Sequence, residues 1–258
     1  MSSSLITLVV GSSGAGKTTW IRENLNSVAQ PTLYLNLGAG TTPIDATYLA
    51  GEIPQLTVLS EREITTFLSS STANYSVYIE LGFHIDLKSL VLPIEINNCQ
   101  RVAVLPPGTR QTEWHDWAEV IVVGTPTNLT LTQSQLWRCA ITGQILDPAS
   151  LNTFWYELTN GAYGNVHRAK GIFDLADGRA FYFDFVPGLP DSKYIELNLP
   201  VWLNGRPNRF SGIEVVGEKL DEPAIAQTLE NSCLNDTEIA YYQEQIKESL
   251  AQEEEDES

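Results

Sequence analysis

The chain has 258 residues and a mass of 28.5 kDa, with 15 Lys plus Arg against 32 Asp plus Glu and a formal charge of −17. That length excludes a peptide or stapled mini-protein and leaves room for one large or two small domains. With 43% apolar residues and a mean hydropathy of −0.11 the composition is that of a soluble globule. Its charge argues against nucleic acid as a partner, since binding there needs a surplus of Lys and Arg to displace counterions.

Residues 5–10, LITLVV, read as a buried strand, being continuous, β-branched and followed at once by a Gly-rich turn; a helix is expected from Lys17. The run is too short for a signal-peptide core or a membrane span. Short apolar runs recur at Thr32 to Asn36, Leu56 to Leu59, Val77 to Glu80, Arg101 to Leu105 and Glu119 to Val123, with helical or turn-rich stretches between most of them. Such alternation predicts an α/β domain over residues 1–130, a mostly parallel sheet with helices on both faces. The polar TNLTLTQSQ after Pro126 reads as a linker.

A smaller α+β domain is expected over 139–237. A helix at Pro148 to Thr159 precedes the runs VHRAKGIFDL and RAFYFDFV, joined at Asp177-Gly178, and then YIELNLP and GIEVVGE. Asp-Gly between alternating runs signals a hairpin, hence an antiparallel sheet. Asp221, with Pro223 behind it, starts a helix, and Asn235 with Glu238 forms a capping-box variant before a last one. Ile239, Tyr242, Ile246 and Leu250 form an apolar stripe expected to dock it. The terminal EEEDES reads as a disordered acidic tail within a last segment, 238–258. Cys99, Cys139 and Cys233 show no C-x-x-C spacing, so neither a disulfide framework nor a structural zinc site is expected, and the location read from the sequence is cytoplasmic, with no membrane partner.

The strongest chemical signal is Gly11-Ser12-Ser13-Gly14-Ala15-Gly16-Lys17-Thr18-Thr19, which satisfies G-x-x-x-x-G-K-[ST] between a strand and a helix. Phosphates need closely spaced backbone N–H donors, which the glycines let the chain wrap around an anion while the helix N-terminus adds its positive dipole end. Lys17 would reach the β- and γ-phosphates of GTP or ATP, and Thr18 would ligate Mg²⁺. A second magnesium ligand is expected at a neighbouring strand end, and Glu80 closes the run Tyr75-Ser-Val-Tyr-Ile-Glu80.

These residues resemble the CobW family of P-loop GTPases, relatives of nickel-enzyme maturation GTPases and of zinc or cobalt metallochaperones. The family's loop is matched by Gly11 to Thr19, its N-E-x-G-x-x-x-I-D segment in part by Asn36, Gly38, Ile44 and Asp45, and its I-E-T-[ST]-G segment by Ile79, Glu80 and Gly82. Residues 146–161, 167–188 and 209–240 are similar to the family's C-terminal domain, segment after segment. The resemblance implies a nucleotide-dependent switch or chaperone-like NTPase serving metal homeostasis or metalloprotein maturation, with a protein client, Lys17, Glu80 and Asp45 in the catalytic site, and β–γ bond cleavage. Where the family has Cys-x-Cys-Cys this chain reads Thr57-Val-Leu-Ser-Glu61-Arg62-Glu63, so zinc or cobalt has no thiolate motif to hold it. Where the family reads guanine with N-K-x-D, Val123 runs into Gly124-Thr125-Pro126-Thr127, which leaves GTP against ATP open, and Pro106-Pro107 stands where the family commonly carries an aspartate. Those losses give a second reading, a catalytically inactive pseudo-GTPase used as an assembly or regulatory module.

Other groups carry weaker signals. His84 and Asp86, with Glu113, His115 and Asp116, offer N and O ligands for a divalent metal or an orienter for attacking water; solvated loop residues beside Trp114 and Trp117 are the plainer account. Period two sets Arg168 and Lys170 on the strand face opposite Ala169 and Phe173, to contact phosphate or an acidic partner, or to form local ion pairs; Arg206 and Arg209 could extend that patch.

Overall fold

The protein is described from a computed structural model over residues 5–25, 30–70, 75–92, 99–127, 134–189 and 193–256. The chain divides into two compact units, Met1–Leu131 and Thr132–Ser258. Most of the expected linker, and the last two residues of the acidic tail, lie outside the described residues. Among the described residues no helix is long and apolar enough to cross a membrane.

The first unit runs β1 (Leu5–Val10), α1 (Lys17–Leu25), β2 (Thr32–Leu37), α2 (Ile44–Glu52), β3 (Thr57–Val58), α3 (Glu61–Ser70), β4 (Ser76–Leu81), β5 (Cys99–Leu105), α4 (Glu113–Trp117) and β6 (Val120–Val123). Its six strands lie in the order β3-β2-β4-β1-β5-β6, and every pairing is parallel. A parallel sheet must be covered on both faces, and so its strands read as unbroken apolar runs. Leu8, Val10, Leu33, Leu35, Val77 and Ile79 pack with Ile64 of α3 and Trp114 of α4, whereas Trp20 of α1 meets Tyr78 on the opposite face. This is the expected α/β domain, a parallel sheet with helices on both faces. β6 closes one edge with Val120, Ile121 and Val123 at 38, 45 and 74% exposure.

The second unit is the expected α+β fold. It contains β7 (Gln135–Ala140), β8 (Ile145–Leu146), α5 (Pro148–Thr159), β9 (Asn165–Leu175), β10 (Ala180–Phe185), β11 (Lys193–Glu196), β12 (Gly212–Glu218), α6 (Glu222–Asn231) and α7 (Asp236–Asp256). Its sheet, ordered β11-β10-β9-β12-β7, is antiparallel, and β8 joins β9 in parallel. Regular structure therefore starts at Gln135, ahead of the residue 139 expected from sequence; QLWRCA is a half-exposed edge strand without clean alternation. The core is aromatic: Trp155 of α5 meets Phe173 and Phe183 edge-on at 6.1 and 5.2 Å. The caps form as read, with Asp221 accepting from Ala224 N, and Asn235 and Glu238 exchanging bonds at the start of α7.

The last helix departs from expectation in two ways. Among its described side chains only Ile239, Gln243 and in part Ile246 face inward, while Tyr242 and Leu250 are exposed. Gln243 docks by pairing its side-chain amide with Gly205, accepting from its N at 2.7 Å and donating to its O at 3.1 Å, which an apolar stripe could not do. The helix also continues through Asp256, taking in most of the run expected to be a disordered tail.

Candidate functional site

β1 ends at Val10 because Gly11 turns with φ +142, a conformation that L side chains rarely adopt, and Gly14 and Gly16 also take positive φ before α1 begins at Lys17. A Cβ on Gly11 would stand 2.1 Å from Val104 O, and one on Gly124, just past β6, would stand 2.0 Å from Ala15 O. Thr125 N donates to that same Ala15 O at 2.9 Å. The loop is thereby clamped from β5 and from the segment after β6. Inside it, Ser12 and Ser13 are buried, and Ser12 Oγ has no hydrogen-bond partner among the described residues. A buried hydroxyl without a partner is costly, and an anion held in the loop would supply one.

Lys17 is 7% exposed, and its Nζ donates to Gly11 O and Ser12 O, each at 3.1 Å. The same ammonium lies 3.9 Å from Glu80 Oε1. Glu80, on central strand β4 beside β1, is itself buried, and Thr18 Oγ1 donates to its Oε2 at 3.0 Å and its Oε1 at 3.3 Å. Thr18 in the first turn of α1 and Glu80 near the end of β4 thus lie together. They form a set of hard oxygen donors beside the glycine loop, the ligand type that Mg²⁺ takes. Asp45, buried near the start of α2, is held by Asn36 Nδ2 at 3.1 Å, and Asn36 stands directly opposite Glu80 in the β2–β4 register. Sequence reasoning missed Tyr34, whose hydroxyl donates to Glu80 Oε2 at 2.9 Å, and the Thr125 clamp.

The weaker metal candidates are not assembled. His84 lies over the ends of β2 and β4, its ring atoms at 3.1 and 2.7 Å from where a Cβ of Gly38 or Gly82 would be. Asp86 accepts from Lys88 N at 3.0 Å in a turn, Asp116 from Gln111 Nε2 at 2.7 Å. His115 is the third residue of α4, where its Nδ1 meets Thr112 in a capping box. Among the described residues no group of three or more His, Cys, Asp or Glu side chains could hold a metal ion. Residues 57–63, which carry no cysteine, form β3 and the start of α3, where Glu63 accepts from Ser60 N and Oγ and Glu61 from Gly38 N.

Arg168 and Lys170 do share a strand face, as local ion pairs. Arg168 pairs with Asp184, and Lys170 Nζ sits 3.1 Å from Glu214 Oε1, whose Oε2 accepts from Arg138 Nε at 2.6 Å. Arg206 and Arg209 do not extend this ladder; they bind Asp236 and Asp174 and tie down loop carbonyls. Burial pushes the Glu214 carboxyl up, but Lys170 and Arg138 outweigh it and bring its pKa from 4.5 to about 2. A depressed carboxylate stabilises the fold above its unfolded pKa, and that stability is lost as pH falls from 4.5 toward about 2. Glu214→Gln should therefore cost roughly 3 kcal/mol at pH 7, with the gap to wild type closing as pH approaches the folded pKa. Urea denaturation across pH reads this; a pH-independent difference would contradict it.

No family model matches this chain, and no curated protein does. Among solved structures it is similar to the Zn(II)-bound YjiA GTPase from E. coli, at 13% identity and TM-score 0.32, over 90% of this chain and 99% of that one. A Zn(II)-bound triple mutant of YjiA GTPase gives 12% and 0.32 over the same shares. Likeness that low carries no argument about activity or ligand.

Proposed function

We propose that the first unit binds a nucleoside triphosphate with Mg²⁺ at Gly11 to Thr19, and that the protein is a CobW-type NTPase switch. The observation that carries this reading is one constellation: a clamped glycine loop with an unpartnered Ser12 hydroxyl, Lys17 inside it, and the Thr18–Glu80 oxygens beside it. In this reading Lys17 exchanges its two loop carbonyls for phosphate oxygens and neutralises charge developing on the leaving side. Thr18 and Glu80 would hold the magnesium, which when bound would supply divalent positive charge against that of the phosphates. Asp45, held by Asn36 across from Glu80, is placed to sense the γ-phosphate and bias the loop before α2. In this reading the second unit is the part that meets a protein client in metal homeostasis or metalloprotein maturation.

The base is left to experiment, because the described part of the loop after β6, residues 124–127, offers no carboxylate to a guanine. Fluorescent GTP and ATP, each titrated with Mg²⁺ and with EDTA, should show saturable binding of at least one nucleotide, tighter with the metal. Binding of neither would end this reading. Binding without single-turnover hydrolysis would select the inactive, pseudo-GTPase form of it.

A further inference from the structure

We propose that Tyr34 is a positioning residue that sets the Glu80 carboxylate for the divalent cation; this rests on the nucleotide reading above. Tyr34 lies on β2 next to β4, two positions before Asn36, the residue opposite Glu80. Its neighbours Leu33 and Leu35 belong to the core on the other face of the sheet. Tyr34 is 0% exposed, and a phenylalanine ring would fill the same space. The hydroxyl is the costly part of the side chain to bury, and it is spent on Glu80 Oε2 at 2.9 Å.

That oxygen has a second donor, Thr18 Oγ1 at 3.0 Å. A threonine hydroxyl has a lone pair for a cation and a proton for a carboxylate, so Thr18 and Tyr34 can both hold Glu80 when the metal arrives. A phenol is an O–H donor near neutral pH, so Tyr34 stays a donor throughout. Anchored through Oε2, the carboxylate keeps Oε1 within 3.3 Å of Thr18 Oγ1 and 3.9 Å of Lys17 Nζ. Donors of this kind behind a metal ligand fix its orientation and are worth about 10- to 100-fold in metal affinity.

The test titrates Mg²⁺ at saturating fluorescent GTP or ATP, whichever the wild type binds, with Tyr34→Phe, Tyr34→Met and the same changes on Glu80→Gln. Phe and Met remove the hydroxyl with different packing, so an effect common to both belongs to the hydroxyl. The cation concentration at half-saturation is expected to rise about 10- to 100-fold, with nucleotide affinity in EDTA changed by less than about twofold. On Glu80→Gln neither change should shift it further, because Tyr34 acts through that carboxylate. An unchanged cation midpoint, an equal loss of metal-free affinity, or full additivity with Glu80→Gln would each overturn the proposal. A wild type that binds neither nucleotide defeats the parent reading instead. The cation arm then runs on Mn²⁺ alone by water-proton relaxation, where a Tyr34→Phe midpoint equal to wild type overturns the role of Tyr34.

Discussion

Lys17→Ala is expected to lower affinity for a nucleoside triphosphate by about 100-fold or more and to abolish any hydrolysis. The ammonium lies inside the loop with two carbonyl partners at 3.1 Å, so it needs only to exchange neutral acceptors for anionic ones. Each hydrogen bond to a charged group is worth about 1.5–3 kcal/mol, and every 1.4 kcal/mol is tenfold in affinity. Two lost contacts to phosphate oxygens thus reach two decades or more. The loop should survive loss of the lysine's bonds to Gly11 O and Ser12 O, because Gly11 and Gly124 are also packed closely against the Val104 and Ala15 backbone. Equilibrium titration with fluorescent nucleotide, beside thermal melts showing an intact fold, reads the effect. Full affinity in the variant would place the triphosphate elsewhere, and surviving hydrolysis would point to another site or a contaminant.

The largest loss of stability is expected from Gly11→Ala. Two penalties coincide there: φ +142 is hostile to an L side chain, and the new methyl would stand 2.1 Å from Val104 O. That carbonyl belongs to β5, whose ladder with β1 is continuous from Ile6 to Val10, so it cannot retreat without breaking strand pairing. A cost of about 3 kcal/mol or more follows, large on a scale where most substitutions cost less. Gly40 is the internal control, with φ +60 and nothing within 4 Å of a Cβ; alanine there should cost only the left-handed strain of roughly 1–2 kcal/mol. Urea midpoints of the two variants should differ accordingly. Equal midpoints would mean that β5 does not clamp the glycine loop.

The parts of this site that could be read in the sequence are those whose signal is contiguous or sits at an element boundary. Gly11 to Thr18 is one unbroken motif, and Glu80 was legible because a polar residue closing an apolar run marks the carboxyl end of a strand. Tyr34 was not legible. Within TLYLNL it is one more apolar position of a central strand, and its partner lies 46 residues away, brought near only by the β2–β4 register. The clamp of Thr125 on Ala15 has the same origin, a contact between segments that no local pattern links. His115 shows the opposite failure: a histidine among acids looks like a ligand, yet the third position of a short helix gives it capping work. For Arg168 and Lys170, strand alternation gave the face correctly, while their partners Asp184 and Glu214 sit on β10 and β12, which only the sheet order makes neighbours.

The open edge at β6 bears on how the protein behaves in bulk. Val120, Ile121 and Val123 present bare aliphatic surface on the outermost strand, with no proline, lysine or inward charge among the strand's four residues to discourage another extended chain from lying alongside. Keeping copies apart then falls to long-range repulsion from the net charge of −17. Such repulsion fades in concentrated salt and near the isoelectric point of about 4.4, so self-association and precipitation will set in first under those two conditions, with the fold itself still intact.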